Sequence, residues 1–250
     1  MPVRPLGRPA RHLGVVGSTM TEAAAWARGG APHGALVVAE HQRSGRGRWG
    51  RAWDDAPGQS LMLSLVLRPA TAPEHVGLVG LAAGLALAEA LDAFGAGAGL
   101  KWPNDVRAGG RKLAGVLAEA SWAGRQAVVV LGVGLNVEQA AFPPALADRA
   151  TSLRLVTGRP VERLAPLAPF LRRLERRLAD AEDDAPALVA AVEGRLEQRG
   201  EEVAVAFPGT DRAPLAGRVA GLAPTGALRL ETASGEVAVH AGEVTLAVPS

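Results

Sequence analysis

Two lysines and two asparagines mark this chain. Of its 27 basic residues 25 are arginine and only Lys101 and Lys112 are lysine, and Asn104 and Asn136 are the sole asparagines. Arginine is a planar fork, whereas lysine is a compact ammonium with rotatable donors. A sequence that uses arginine almost wherever a positive charge will serve marks its lysines as positions that need a point charge. Compositional bias with two chance survivors is the plainer alternative. Against it, all four residues sit in dense motifs: "KWPND" (101–105), "GRKLAGVLAE" (110–119) and "GVGLN" (132–136). A further stretch, "HQRSGRGRWGRAW" (41–53), sets Arg43, Arg46, Arg48 and Arg51 among Gly45, Gly47 and Gly50, with Trp49 and Trp53 between them. Glycine lets backbone come close to a ligand. Arginine forks onto phosphate or carboxylate oxygens. Tryptophan covers a ligand and excludes water. Together these residues can grip and activate a small anion.

Other readings of the arginine loop fare worse. Gly45, Gly47 and Gly50 spell G-x-G-x-x-G, but a dinucleotide fold needs a helix opening on the last glycine. Here "RAWDDAPGQS" follows, then another strand-like run. The Walker pattern is absent as well. A nucleic-acid grip would put the arginines on phosphates and a tryptophan on a base, yet no basic stripe continues elsewhere. A solvated turn is the usual fate of a charge run, but such turns seldom hold two tryptophans.

The elements that must position these residues read as follows. "ALVVAE" (35–40) is a buried strand before the loop and "LMLSLVL" (61–67) a second, apolar on both faces and therefore central. "KLAGVLAEAS" (112–121) and "QAVVVLGVGLNV" (126–137) pair through a turn at Ala123-Gly124. An alanine-rich helix runs to about Arg28, with Thr19 and Glu22 as a capping box. Another helix starts near Pro73 and ends near Phe94. Residues 163–180 and 186–199 give two amphipathic helices, and 141–155 a proline-marked connection with a short helical piece. From Glu201 short strands alternate with turns, as in a small β-barrel. The expected layout is a mixed α/β domain, 1–200, and an all-β domain, 201–250.

Composition sets outer bounds. At 250 residues the chain can bury a core without staples. With no cysteine it has no disulfide, thiolate metal site or cysteine nucleophile, which suits a reducing cytoplasm. The basic, Pro/Gly-broken start lacks the apolar core of a signal peptide. "VGLVGLAAGLALAEALDAF" carries Glu89 and Asp92 and reads as a buried helix, so no membrane partner is expected. The pI of about 9.8 rests on a net charge of only +2 and is weak support for a polyanion partner. The histidines, at 12, 33, 41, 75 and 240, show no ligand spacing.

Taken in order, "STM" (18–20), "HQRSGRGRWGRAW", "KWPND", "GRKLAGVLAE" and "GVGLN" resemble the biotin protein ligases. The resemblance runs from about Gly17 to the C-terminus. It implies a mixed sheet flanked by helices, the fold shared with class II aminoacyl-tRNA synthetases, followed by an SH3-like barrel. It also implies a two-step reaction. Biotin and MgATP give biotinyl-adenylate, and a lysine of a biotin carboxyl carrier protein then takes the biotinyl group. A lipoyl or octanoyl ligase of the same fold is the alternative. Some relatives carry a DNA-binding domain. Only 17 residues precede Ser18 here, so no sequence-specific DNA binding is expected. The oligomeric state, monomer or homodimer, stays open.

Site roles follow from the same resemblance. Ser18, Thr19 and Gln42 match positions that hydrogen-bond the biotin ureido ring or its surroundings; Met20 stands in this biotin set where many relatives have asparagine. Arg46, Gly47 and Arg48 match the loop that grips the adenylate, and Arg51 a supporting or pyrophosphate contact. Lys112 matches the lysine that reaches the biotin carboxylate and the α-phosphate. With Arg46 and Arg48 it forms the expected catalytic set. Gly115 allows close backbone approach to biotin. Lys101 and Asn104, in a turn forced by Pro103, are assigned to phosphate or ribose. Asp105 is assigned to Mg²⁺, and Asn136 to Mg²⁺ or ATP. Trp53 is left open between ligand and core. Residues 143–160 hold no aromatic, so the adenine is expected on aliphatic surface. The loop 43–56 is expected to be mobile without ligand and to order over the adenylate.

Overall fold

The computed structural model describes residues 5–70, 75–124 and 126–246. Fourteen strands are described in chain order: β1 (Ala10–Val16), β2 (Ala35–Gln42), β3 (Gly45–Arg46), β4 (Ala52–Trp53), β5 (Ser60–Leu67), β6 (Gly99–Lys101), β7 (Asp105–Ala108), β8 (Arg111–Ala123), β9 (Gln126–Asn136), β10 (Glu202–Ala206), β11 (Leu215–Leu222), β12 (Leu228–Thr232), β13 (Gly235–Val239) and β14 (Glu243–Leu246). The helices are α1 (Thr19–Arg28), α2 (Leu78–Asp92), α3 (Leu153–Thr157), α4 (Leu167–Asp183) and α5 (Ala185–Glu193).

One mixed sheet carries the site. Its order is β1-β2-β5-β9-β8-β7-β6, with β1 parallel to β2 and every other pair antiparallel. β5 lies near the middle, as its run of buried residues requires. Side chains alternate across a strand, and β5 divides the core accordingly. Leu61, Leu63, Leu65 and Leu67 face a large core with α2, α4 and α5, while Val66 faces a small one with Met20 and Ala23 of α1. α2 is apolar nearly all round and is buried along most of its length, with Gly80, Glu89 and Asp92 the exceptions. α4 buries only the stripe Phe170, Leu174, Leu178 and Ala181. α1 is short, so it leaves the β8 end of its own face uncovered. The arginine loop crosses there, folded as the hairpin β3–β4 around one 3₁₀ turn at Arg48–Gly50.

Several boundaries differ from the sequence reading. The first helix starts at Thr19 with Ser18 in the N-cap position, and no side chain caps it. Thr19 instead donates its backbone N–H (2.7 Å) and its hydroxyl (2.9 Å) to Gln42 Oε1. The capping box is overridden by a contact across the chain. The expected start of the next helix at Pro73 lies outside the described residues; α2 is described from Leu78 and ends two residues before Phe94. α4 begins after Pro166, and Pro169 falls in its first turn, where no intrahelical N–H is needed. α5 stops at Glu193 because the following chain is recruited by the sheet: Leu100 N donates to Arg195 O and Glu197 N to Leu100 O. β1, β6 and β7 have no counterpart in the sequence reading.

The C-terminal strands form a separate antiparallel sheet ordered β13-β12-β11-β10-β14, and β13 and β14 do not pair among the described residues. It docks on the first unit through Trp102 Nε1, which donates to Gly226 O at 3.0 Å. Gly226 has φ +81°, and a side chain there would strike Leu78 and Leu81. No helix among the described residues is long and apolar enough to cross a membrane.

Candidate active site

A cavity of about 170 Å³ opens on the α1 face of the sheet, beneath the arginine hairpin. Ser18, Thr19, Met20, Gln42, Arg46, Gly47, Arg48, Arg51, Lys101, Asn104, Asp105, Lys112 and Gly115 all line it. Of the residues given a site role from the sequence, Asn136 alone is absent from the lining. It is 6% exposed, and its amide donates to Thr151 O at 3.0 Å and accepts from Gln139 Nε2 at 3.3 Å.

One end of the cavity is neutral and polar. Gln42 and Thr19 are joined as described, and Ser64 Oγ donates to Thr19 Oγ1 at 2.9 Å. Ser18 is 3% exposed, yet its hydroxyl has no hydrogen-bond partner among the described residues. A buried hydroxyl without a partner costs free energy, so this one is poised for a ligand. Met20 packs over Gly132, where a Cβ would lie 2.7 Å from its sulfur.

The floor is aromatic. Trp53 lies flat on the sheet, where Gly134 and Gly115 leave room: a Cβ at Gly134 would stand 2.5 Å from Trp53 Cε2, and one at Gly115 2.9 Å from Cζ3. The close approach that Gly115 permits is therefore to Trp53, and to Lys112 Cε at 3.3 Å. Trp53 Nε1 is buried without a hydrogen-bond partner among the described residues. Lys112 reaches over the ring, its Nζ 5.5 Å from the centroid and 2.6 Å from Asp105 Oδ1.

The other end is cationic. Arg48 and Lys101 are half-buried, and burial pulls both below their ordinary pKa values, with Asp105 partly opposing. Neither forms an ion pair within 4 Å among the described residues. Partly desolvated cations with no direct ion pair fit an incoming polyanion. Arg46 reaches Glu119 at 3.1 Å. Arg51 makes a two-armed pair with Glu243, which raises the arginine and holds the Glu243 carboxyl below its usual value. Asn104 is tied to Val116 O at 3.0 Å and shapes the turn that carries Lys101 and Asp105.

This geometry joins a neutral polar pocket to a cationic one over an aromatic floor, and comparison with known proteins agrees with it. A profile described as the biotin/lipoate A/B protein ligase family matches residues 14–136, and one for the biotin protein ligase C-terminal domain matches 200–246. The biotin--[acetyl-CoA-carboxylase] ligase of Mycobacterium tuberculosis is 38% identical over 243 residues, covering 94% of this chain and 88% of that protein. The chain belongs to the biotin protein ligase family. The crystallised biotin protein ligase from Aquifex aeolicus, in complex with biotin and ATP, is 29% identical with a TM-score of 0.78, covering 96% of this chain and 99% of that one. Against the bifunctional ligase/repressor BirA of Bacillus spizizenii the identity is 35%, over 70% of this chain and 55% of that protein.

Part of the cavity wall comes from the C-terminal sheet. Gly242, Glu243 and Val244 line the cavity, and Arg48 Nη1 donates to Gly242 O at 3.1 Å. Nothing local in the sequence marks Glu243, which lies 192 residues from its partner Arg51. His41 lies outside the lining and pairs with buried Asp55 at 3.2 Å, at the base of the hairpin.

Proposed function

We propose that this enzyme activates biotin with ATP and transfers it to a lysine of a biotin carboxyl carrier protein. The observation that carries the reading is the pairing, in one cavity, of a Ser18 hydroxyl that has no hydrogen-bond partner among the described residues with two half-buried cations, Arg48 and Lys101, that form no ion pair within 4 Å there. The neutral end suits a urea, which wants donors and acceptors and no net charge. The cationic end suits a triphosphate. A lipoyl substrate would leave the polar end without purpose.

In the first step a biotin carboxylate oxygen attacks the α-phosphorus and the bond to the bridging oxygen breaks, releasing pyrophosphate. Two anions must meet, so charge neutralisation dominates. Lys112 stands where the anions join, held by Asp105 and Trp53. Its point charge follows a carboxylate that becomes a mixed anhydride. Arg48 and Lys101 take phosphate oxygens, and Arg46 exchanges Glu119 for the ligand. In the second step the neutral carrier amine attacks the acyl carbon and AMP leaves. That amine is scarce near neutral pH, and proximity offsets the scarcity.

Mg²⁺ fits as a companion of the nucleotide and not as a resident ion. No group of three or more His, Cys, Asp or Glu residues is poised for a metal among the described residues. Mg²⁺ commonly uses one or two carboxylates with substrate phosphates. Asp105 would supply one, and the bound ion would shield triphosphate charge. The division into 1–200 and 201–250, an SH3-like character of the second unit, and a cytoplasmic place of work belong to the same reading. So does closure of the 43–56 loop over the adenylate, since open space flanks the hairpin on both sides.

A biotin-dependent ATP–pyrophosphate exchange assay tests the proposal. Exchange that needs biotin and not lipoate, followed by labelling of a carrier domain, is the expected result. Exchange with lipoate alone overturns it.

A further inference from the structure

Trp53 forms the floor of the cavity, yet no hydrogen bond of its own ring holds it there, since Nε1 has no partner among the described residues. The hairpin that carries it is two pairs long, Gly45 with Trp53 and Arg46 with Ala52. So short a hairpin is marginal by itself and must be placed from its ends. The entering end is tied by backbone: Arg43 N donates to Val16 O and Ser44 N to Gly17 O, both at 2.9 Å. The returning end is tied less closely. β2 pairs with β5 only as far as Ala39 opposite Met62, and residues 54–57 belong to no strand or helix. The next backbone tie to β2 is Gly58 N, which donates to Glu40 O at 3.2 Å.

One side-chain pair closes that gap. His41 Nδ1 donates to Asp55 Oδ2 at 3.2 Å. His41 precedes Gln42 of the neutral end, and Asp55 stands two residues beyond Trp53. The Asp55 side chain is 1% exposed, and its other oxygen is buried with no hydrogen-bond partner among the described residues. A buried carboxylate is costly unless paired, so this aspartate depends on one imidazole. Neither residue lines the cavity. The hairpin's other side-chain ties run from its arginines to Glu119, Gly242 O and Glu243. Those arginines are the groups a bound anion would claim, whereas the His41–Asp55 pair stays in place whether or not the cavity is filled.

We propose that His41 and Asp55 are positioning residues for the reaction. They form a clasp at the neck of the arginine hairpin that fixes Trp53 over Gly115 and Gly134, and so fixes the height of Lys112, whose Nζ stands 5.5 Å from the ring centroid. The inference rests on the proposed role of Lys112 as the cation at the reacting junction. A pair that only steadied the fold would lower the melting temperature and leave the rate per folded enzyme as it was. A clasp that sets the floor of the site changes the rate of the folded enzyme.

The experiment compares His41→Ala, Asp55→Ala and His41→Asn with the parent, each assayed well below its melting temperature. Trypsin cleavage of the ligand-free proteins is read first and needs no activity, since Arg43, Arg46, Arg48 and Arg51 lie in or beside the hairpin. Cleavage there is expected to speed up by about ten-fold in both alanine variants. In the same variants kcat for pyrophosphate exchange is expected to fall by at least about ten-fold, as displacement of a reacting group demands, with KM for ATP within about two-fold of the parent. His41→Asn should recover most of the loss in both readouts, because its amide can donate to Asp55 from the place of Nδ1. In a Lys112→Ala background His41→Ala should cost nothing further, whereas a merely structural pair would cost the same again. Should His41→Ala not fold with its carboxylate stranded, Asp55→Ala removes charge and tie together and carries the comparison. Parent-like cleavage or parent-like kcat in the alanine variants, or a full additional loss in the Lys112→Ala background, overturns the proposal. A parent protein without biotin-dependent exchange would instead defeat the functional reading, and the cleavage comparison alone would then decide whether the clasp holds the hairpin.

Discussion

Gly134→Ala isolates the aromatic floor of the site. The backbone at Gly134 lies outside the left-handed region, so alanine brings no conformational strain there. What it brings is one methyl group, 2.5, 2.8 and 3.0 Å from three ring atoms of Trp53. Carbon atoms rest at about 3.5–4.0 Å. The ring must therefore lift by about 1 Å, since the same indole also lies so close over Gly115 that a Cβ there would stand 2.9 Å from it. Overpacking of this kind costs about 1–3 kcal/mol. Catalysis should suffer more than stability. Lys112 rides on that ring, and a displacement of about 1 Å in a reacting group costs on the order of 10²-fold in rate. Gly132→Ala is the control. Its Cβ meets Met20 Sδ at 2.7 Å, but an unbranched thioether can swing aside. The assay is pyrophosphate exchange beside thermal melting for both variants. A loss of about 10²-fold in exchange for Gly134→Ala, with a clearly smaller loss for Gly132→Ala, is expected. Equal activities in the two variants would refute the idea that Trp53 sets the height of Lys112.

Three other predictions concern the cavity's two ends. Ser18→Ala removes a hydroxyl that has no protein partner, so the melting temperature should hold while biotin binding by calorimetry weakens by about ten-fold, the scale of one hydrogen bond. A lowered melting temperature with unchanged affinity would mean the hydroxyl serves the fold. Lys112→Ala should lose about 10²–10³-fold in exchange, and Lys112→Arg should recover little of it, because a planar fork cannot track the junction as a point charge does; parent-like kcat in Lys112→Arg would defeat that argument. Glu243→Gln tests the clasp between the two units. The Glu243 carboxyl is held below its ordinary value near 4.5 by Arg51, so its contribution is present above that ordinary value and is lost as pH falls through the depressed one. Arg51 is 59% exposed, which limits the pair to about 0.2–1 kcal/mol. Melting curves of parent and variant should differ slightly at pH 7 and merge in acid; a gap that widens in acid would contradict the sign.

What could be read from the sequence was what neighbouring residues decide. The buried β5, the β8–β9 pair and the five C-terminal strands all follow from runs of apolar residues bounded by turns. The arginine hairpin was visible because its glycines, arginines and tryptophans crowd into thirteen positions, 41–53. β1 was not visible. Its residues are mostly exposed, at a sheet edge, and "ARHLGVV" has no alternation to read. Thr19 was misjudged for a related reason. Its local pattern is a helix cap, while the partner that claims its N–H and hydroxyl, Gln42, is 23 residues away.

The same distinction explains why the lysines and Asn136 were singled out together and yet stand in different surroundings. Rarity in composition marks residues whose chemistry cannot be substituted, but it does not say whether that chemistry faces a ligand or the protein. Lys112 lines the cavity where the β8–β9 ladder has ended and residue 150 takes the vacant side, while Arg107 of β7 still pairs with it. Asn136, the last residue of β9, is buried, and its amide donates to Thr151 O and accepts from Gln139. Glu243 shows the converse. It is one of many glutamates, unmarked by type or spacing, and only the docking of a second sheet gives it an arginine to hold. A site built from one loop and one sheet edge leaves its trace in sequence motifs; the parts that arrive through docking leave none.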